Sequence, residues 1–227
     1  MEVINKSDPV LVAKAARVLK NNGILIIPTV RWYMFCCGAT NRVGLEEIFR
    51  AKNRDINKPP LFLVPNEQTA RDLFVIGKGT DKLISNFWPG EIAMYLDWSS
   101  QENADKFCLD NKEFALVSLF SKIFGNIVAA YSAPVLSTTV NVSNFDSSID
   151  MGPAISINEV SEFIRETNIK VDLVVDGGVC PAFNHTTIMD CRSDEQTLPQ
   201  IVREGYVHKR AINLALGITN GGKNNGN

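Results

Sequence analysis

Short apolar runs closed by proline or glycine recur along the whole chain, and segments of helical spacing separate them. This alternation constrains the fold more than any other feature. "ILIIP", "PLFLVP", "FALVSLF" and "VDLVVDGG" are runs of strand length. Runs that are apolar throughout belong to strands buried on both faces, and strands interleaved with helices imply an α/β sheet. The spacing predicts a first helix in "SDPVLVAKAARVLKNNG", with Ser7 or Asp8 as cap, Pro9 in its first turn and Gly23 at its end. Further helices are expected in "GLEEIFRAK", "NEQTARDLFVI", "GTDKLISNFW" and "SINEVSEFIRE", the last with a Ser156–Glu159 capping box. Strands are also expected in "EIAMYLDW", "APVLSTTV", "TTIMD" and "QIVREG", with the polar loop "NVSNFDSS" after "APVLSTTV". No repeat or linker divides the chain. We expect one domain over residues 1–215 and a disordered Gly/Asn-rich tail over 216–227.

The formal charge of −2 argues against a surface that is basic all over, so any site for a polyanion must be a local patch. Such a patch is visible. "RAKNRDINKPPLFLV" gathers Arg50, Lys52, Arg54 and Lys58 just ahead of a buried strand, with Arg42 shortly before them. Cations at a helix C-terminus are also favoured by the helix dipole, so a solvated helix end is the plain reading. The functional reading is a phosphate clamp, with arginine as a planar fork, lysine as a point charge and Pro59–Pro60 stiffening the loop. "STTVNVSN" places hydroxyls and amides at the C-terminal end of an apolar strand, where open α/β sheets bind ligands. Its plain reading is a polar turn that satisfies its own backbone.

The five cysteines, Cys36, Cys37, Cys108, Cys180 and Cys191, have no metal-like spacing and are expected as reduced thiols in a cytoplasmic protein. Cys36 and Cys37 would face opposite ways on a strand. His185 and His208 lack the companions of a catalytic triad. No signal peptide or membrane-spanning run is expected.

Taken in order, these segments resemble the YrdC-like family, whose best-known members are the threonylcarbamoyl-AMP synthases of tRNA modification. "GILIIPT" resembles the family's opening strand, and "FRAKNRDINKPP" its Lys-x-Arg segment. "FWPG" is retained. "LSTTVNVSN" resembles the Ser-x-Asn segment, "VVDGG" with "TTIMD" the Asp-Gly-Gly turn and following strand, and "IVREG" the late Arg-x-Gly. The resemblance covers about residues 8–210. It implies a single-domain twisted mixed sheet flanked by helices, with a concave basic cavity that binds ATP and Mg²⁺. It assigns Lys52, Arg54, Thr139 and Asn141 to the catalytic tetrad at the nucleotide phosphates, with Thr139 in place of serine. Lys58, Ser143, Thr186 and Arg203 become nucleotide contacts. Thr29, Arg31, Tyr33 and Met34 become the pocket of the second substrate.

The chain also departs from the family pattern. The family opens Pro-Thr-Asp/Glu-Thr-x-Tyr-Gly-Leu, whereas this chain has Val30, Arg31 and Met34 where the acid, the second threonine and the glycine stand. After "FWPG", Glu91-Ile92-Ala93 replaces Pro-Leu-Thr, and Ser118 is nearest to a family arginine. The nucleotide end is therefore better kept than the amino-acid end. The resemblance implies formation of a carbamoyl-type adenylate from ATP, a bicarbonate or carbamoyl donor and an amino acid or other acceptor. The departures point to an altered second substrate in a specialised pathway. The alternatives are the ordinary synthase with its tRNA-modification partners, and a non-catalytic protein that binds nucleotide or RNA.

Overall fold

The computed structural model describes residues 2–55, 57–143, 152–181, 184–193 and 197–218. In chain order the elements are β1 (Glu2–Asn5), α1 (Leu11–Lys20), β2 (Leu25–Pro28), β3 (Tyr33–Gly38), α2 (Arg42–Lys52) and β4 (Leu61–Leu63). Next come α3 (Glu67–Leu73), α4 (Lys78–Phe87), β5 (Ile92–Asp97), α5 (Gln101–Asp105), β6 (Phe114–Ser118) and α6 (Lys122–Tyr131). The chain continues with β7 (Val135–Thr139), α7 (Ile157–Thr167), β8 (Leu173–Asp176), β9 (Thr187–Asp190), β10 (Gln200–Arg203) and α8 (Lys209–Leu216). β1, β3, α5, α6 and α8 go beyond the sequence expectations. The expected tail overlaps α8 at Leu216, and residues 219–227 lie outside the described residues, as does the "NFDSS" part of the polar loop.

Two expected caps differ. Asp8 accepts from the Val10 amide at 3.0 Å and Ser7 turns back on Asn5, so α1 starts at Leu11 without a side-chain cap. Asn21 ends it, and Gly23 lies beyond. Ser156 caps α7 as expected, accepting from the Glu159 amide. The Glu159 carboxylate, however, receives the Ile155 amide at 2.7 Å, one residue before the cap. That bond ties α7 to the chain entering it.

The strands form one mixed ten-stranded sheet in the order β1-β8-β2-β3-β7-β4-β6-β5-β9-β10. Residues opposite each other in register share a face. One row therefore crosses the sheet as Leu173, Leu25, Cys36, Ser137, Leu61, Leu116, Tyr95 and Asp190. Its first half is fully buried under α1 and α6, through Leu11, Ala15 and Leu19 and through Phe124, Ile127 and Val128. Its second half, Leu61 to Asp190, is only half-buried. The opposite face is covered along its length by α2, α3, α4, α7 and α8, with Phe35, Phe62, Val117, Met94 and Met189 at its centre. Cys36 and Cys37 lie in these two different cores, as alternation requires. The five cysteines are free and buried.

Tyr33 was expected in the substrate pocket, but its ring is buried in the core on the opposite face. Its hydroxyl donates to the Gly178 carbonyl at 2.7 Å and accepts from the Gly177 amide at 3.1 Å. Burial pushes the phenol's pKa up. Gly178 has φ +76, which an L side chain adopts only with strain. Tyr33 thus pins the turn that follows β8. Tyr33→Phe leaves the Gly177 amide without this acceptor and should lower stability by about 1–2 kcal/mol in a denaturant titration.

Candidate functional site

The site is built where β7 runs out beside the half-buried part of the sheet. α2 delivers the first residues to it. Asn41 caps that helix by accepting from Gly44, and Asn53 ends it in the left-handed conformation at φ 48. Asparagine tolerates this conformation better than most residues. The reversal leaves Lys52 pointing inward and folds Arg54 back, with its amide on the Phe49 carbonyl at 2.9 Å.

Lys52 is 1 % exposed. Its ammonium donates to the Thr139 carbonyl at 2.5 Å, the Asn141 carbonyl at 2.7 Å and Asn141 Oδ1 at 3.0 Å. Thr139 Oγ1 donates to the same Oδ1 at 2.6 Å, and the Ser143 amide closes onto the Lys52 carbonyl at 2.6 Å. The expected tetrad members Lys52, Thr139 and Asn141 are therefore in direct contact, and Ser143 adjoins them. Lys52 donates to the protein's own oxygens, so in this arrangement it orders the β7 loop. Burial, then Arg54, hold its pKa down to about 7.

Arg54 donates from Nη2 to the Pro59 carbonyl at 3.0 Å and lies 5.5 Å from the Phe49 ring centre. Its Nε is buried without a partner, and burial lowers its pKa. On β10, Arg203 donates to the Thr186 carbonyl at 3.0 and 3.3 Å, which joins those two expected contacts. Lys58 is exposed on the loop between α2 and β4. Tyr95, which sequence reasoning did not single out, links the ends of the site. Arg192 lies 5.7 Å from the centre of its ring, and Arg54 and Arg203 stand within electrostatic range of it. Arg192 stacks 4.5 Å from Phe114 and is gripped by Asp190 at 2.6 and 2.9 Å. Cations thus converge on an open floor of Leu61, Leu116 and Tyr95. Only the register makes this floor visible, because Tyr95 reads in sequence as one more apolar strand residue.

At the other end, Met34 lies opposite Thr139 across the β3–β7 pair and is buried with Phe120 and Phe124. It therefore fills space next to the tetrad. Arg31 is 1 % exposed and forms an ion pair with Glu91. Its guanidinium lies 5.9 Å from the ring centres of both Trp32 and Phe120, and its Nε has no partner. Burial, then Arg203, bring its pKa down to about 10, so it is charged at neutral pH, and the adjacent carboxylate favours that charge. His185 lies against Trp32 at 5.0 Å. Burial, Arg203 and Arg31 all lower its pKa, which makes it a neutral ring here rather than another cation. Thr29 Oγ1 donates to the Trp32 carbonyl at 2.8 Å and accepts from the Arg31 amide, folding the loop that carries the arginine. Ser118 donates to the Ile92 carbonyl at 2.7 Å and supplies no charge. The Arg31–Glu91 pair was not foreseen, because its members lie sixty residues apart.

Among the described residues no cluster of three or more His, Cys, Asp or Glu side chains is placed to hold a metal ion, and no helix is long and apolar enough to cross a membrane.

Comparison with known proteins gives a consistent set of relatives. The family model described as "Telomere recombination", that of Sua5, YciO and YrdC, matches residues 17–205. A threonylcarbamoyl-AMP synthase of Bacillus subtilis (strain 168) is 21 % identical over 217 residues, covering 94 % of this chain and 58 % of that protein. A protein of the same name from Psychromonas ingrahamii is 24 % identical over 169 residues, covering 73 % of this chain and 84 % of its own. The crystal structure of P. abyssi Sua5 complexed with L-threonine superposes with a TM-score of 0.79 at 18 % identity, covering 96 % of this chain and 61 % of that one. The chain thus spans about three fifths of the B. subtilis relative and of P. abyssi Sua5.

Removing one member of the buried ion pair leaves the other uncompensated. Glu91→Ala should cost roughly 3 kcal/mol in chemical denaturation, whereas the joint change Arg31→Leu with Glu91→Leu should cost clearly less. Equal losses in the two proteins would show that the pair is not electrostatically coupled.

Proposed function

The chain belongs to the Sua5/YciO/YrdC family, and from that membership and the site geometry we propose that it forms a carbamoyl-type adenylate from ATP, as a threonylcarbamoyl-AMP synthase does. The observation that carries this reading is the Lys52–Thr139–Asn141 cluster at the edge of an open floor on which Arg54 and Arg203 converge. Such a surface suits a polyphosphate: forked arginines grip oxygens while ordered hydroxyl and amide groups orient them. In the reaction an amine takes up bicarbonate as a carbamate, with loss of water. A carbamate oxygen then attacks the α-phosphorus of ATP in line, the bond to the bridging oxygen breaks, and pyrophosphate leaves.

Each residue has a role in this reading. Arg54, with its free Nε, and Arg203 stabilise charge on the phosphates. Lys52 holds the Thr139–Ser143 loop in place, and Thr139, Asn141 and Ser143 orient nucleotide and carbamate. Lys58 and Thr186 line the approach. The described carboxylates offer no dedicated cage for Mg²⁺, and Val30 stands where the family has an acid. The ion would therefore arrive on the nucleotide's phosphates, as Mg²⁺ commonly does, and neutralise their charge there. The names of the curated relatives, both threonylcarbamoyl-AMP synthases, support L-threonine as the amino acid. A second reading, with a changed amino acid, is favoured by Met34 packed opposite Thr139 and by the Arg31–Glu91 pair.

A mass-spectrometric assay with ATP, Mg²⁺, bicarbonate and mixed amino acids should give an AMP conjugate and pyrophosphate. The conjugate's mass decides between the two readings. Lys52→Ala and Arg54→Ala, checked for intact melting transitions, should each lower turnover by about a hundredfold or more. Full turnover in both variants would refute the site.

The pH dependence follows from Lys52. With a pKa near 7 the free protein loses this charge above neutrality, and bound phosphates favour its return. Affinity for a non-hydrolysable ATP analogue should fall by roughly threefold or more from pH 6.5 to 8.5. Lys52→Met should flatten that profile.

A further inference from the structure

Arg192, at the far end of the open floor, is built differently from the other cations. Its Nε and Nη2 donate to the two oxygens of Asp190 at 2.9 and 2.6 Å, and this double bond fixes the plane of the guanidinium. Phe114 backs it, with 4.5 Å from the guanidinium carbon to the ring centre, and Tyr95 meets the Phe114 ring edge-on at 5.5 Å. Asp190 lies opposite Tyr95 across the β5–β9 pair, and Phe114 opposite Asp97 across the β5–β6 pair. Three adjacent strands therefore hold the stack. The Arg192 side chain is still 39 % exposed, and it lines a cavity of about 330 Å³ together with Phe114, Asp97, Glu113, Asp190 and Ser193.

Two properties of this cavity exclude a phosphate and favour a flat neutral ring. The edge of the guanidinium that would grip an oxyanion is already taken by Asp190, so what Arg192 has left to offer is mainly its face. A planar cation held in place over an aromatic ring is a surface on which another π system stacks. Asp97, Glu113 and Asp190 also outnumber Arg192 here, so the local charge repels an anion. The carboxylate oxygens suit a ring that carries N–H donors. The volume lies at the small end of the roughly 300–1,000 Å³ range of ligand pockets, which is room for a base rather than for a whole nucleotide.

The register sets the distance to the phosphate cluster. Ser137, Leu61 and Leu116 lie side by side on β7, β4 and β6. Thr139 and Phe114 each stand two positions beyond that row, on the same face and toward the same end. They are therefore two strand spacings apart, roughly 10 Å. A ribose bridges such a gap between an α-phosphate and its base.

We propose that Arg192, backed by Phe114 and Tyr95, is the stacking platform for the purine base of the nucleotide. The phosphates then lie at Arg54 and the Lys52–Thr139–Asn141 cluster, and the base lies at the acidic end of the floor. The assignment rests on the nucleotide reading and deepens it, because it fixes the direction in which the nucleotide lies and adds three side chains to its site.

The test is calorimetric titration of the full chain with a non-hydrolysable ATP analogue and with inorganic tripolyphosphate, which has no base. The analogue should bind at least tenfold more tightly than tripolyphosphate. Arg192→Lys keeps the charge and loses the plane, and Arg192→Ala loses both. Each variant, checked for an intact melting transition, should weaken the analogue by roughly tenfold. Arg192→Lys should leave tripolyphosphate binding within about twofold of its original value. Equal binding of the two ligands by the unaltered chain would overturn the platform and leave the phosphate site standing. Full analogue affinity in Arg192→Lys, or equal weakening of both ligands in that variant, would also overturn it. If neither ligand binds the unaltered chain, the nucleotide reading falls and the platform falls with it.

Discussion

A sheet of ten strands has two faces to bury, and the helices of this chain cover about one and a half of them. The rest of the molecule depends on that incomplete cover. Where α1 and α6 lie, the row from Leu173 to Ser137 is sealed and apolar apart from a serine whose hydroxyl is satisfied by the Phe35 carbonyl. Where they stop, Leu61, Leu116 and Tyr95 form a floor that water reaches. Charged side chains can stand around such a floor without the full cost of desolvation, while its partial shelter strengthens their hold on an anion.

The cations at the edge of this floor are not equivalent. Lys52 is bound to carbonyls and an amide of its own chain, and its charge serves the loop after β7. Arg54 and Arg31 each keep one buried Nε without an acceptor. Their guanidinium planes are set by aromatic neighbours, Phe49 in one case and Trp32 with Phe120 in the other. A rigid fork with a free edge is suited to recognising an oxyanion, because little side-chain freedom remains to be lost on binding.

Much of this was legible beforehand. The short apolar runs announced β2, β4, β6 and β8, and the helical spacing announced α2, α3, α4 and α7. Local signals sufficed there, because a strand buried on both faces must be apolar and a helix against a core must have one apolar stripe. The Lys52–Thr139–Asn141 contact was also anticipated, from the resemblance of these segments to the YrdC-like family. β1 escaped notice because its hydrogen bonds come from β8, at the far end of the chain. Tyr33 was misplaced because alternation alone does not say which face of a strand will bind substrate. Asp8 resembled a helix cap in sequence, but the turn from Asp8 to Leu11 took it first.

The sequence by itself determined the class of fold and the order of most of its elements, because these follow from side-chain chemistry and short-range periodicity. Tertiary structure alone decided which half of a face stays open, that Tyr95 lies among three arginines, and that Glu91 neutralises Arg31. Those outcomes depend on strand order and register. A register brings together residues far apart in the chain, and a shift by one position would turn every side chain of a strand to the other face.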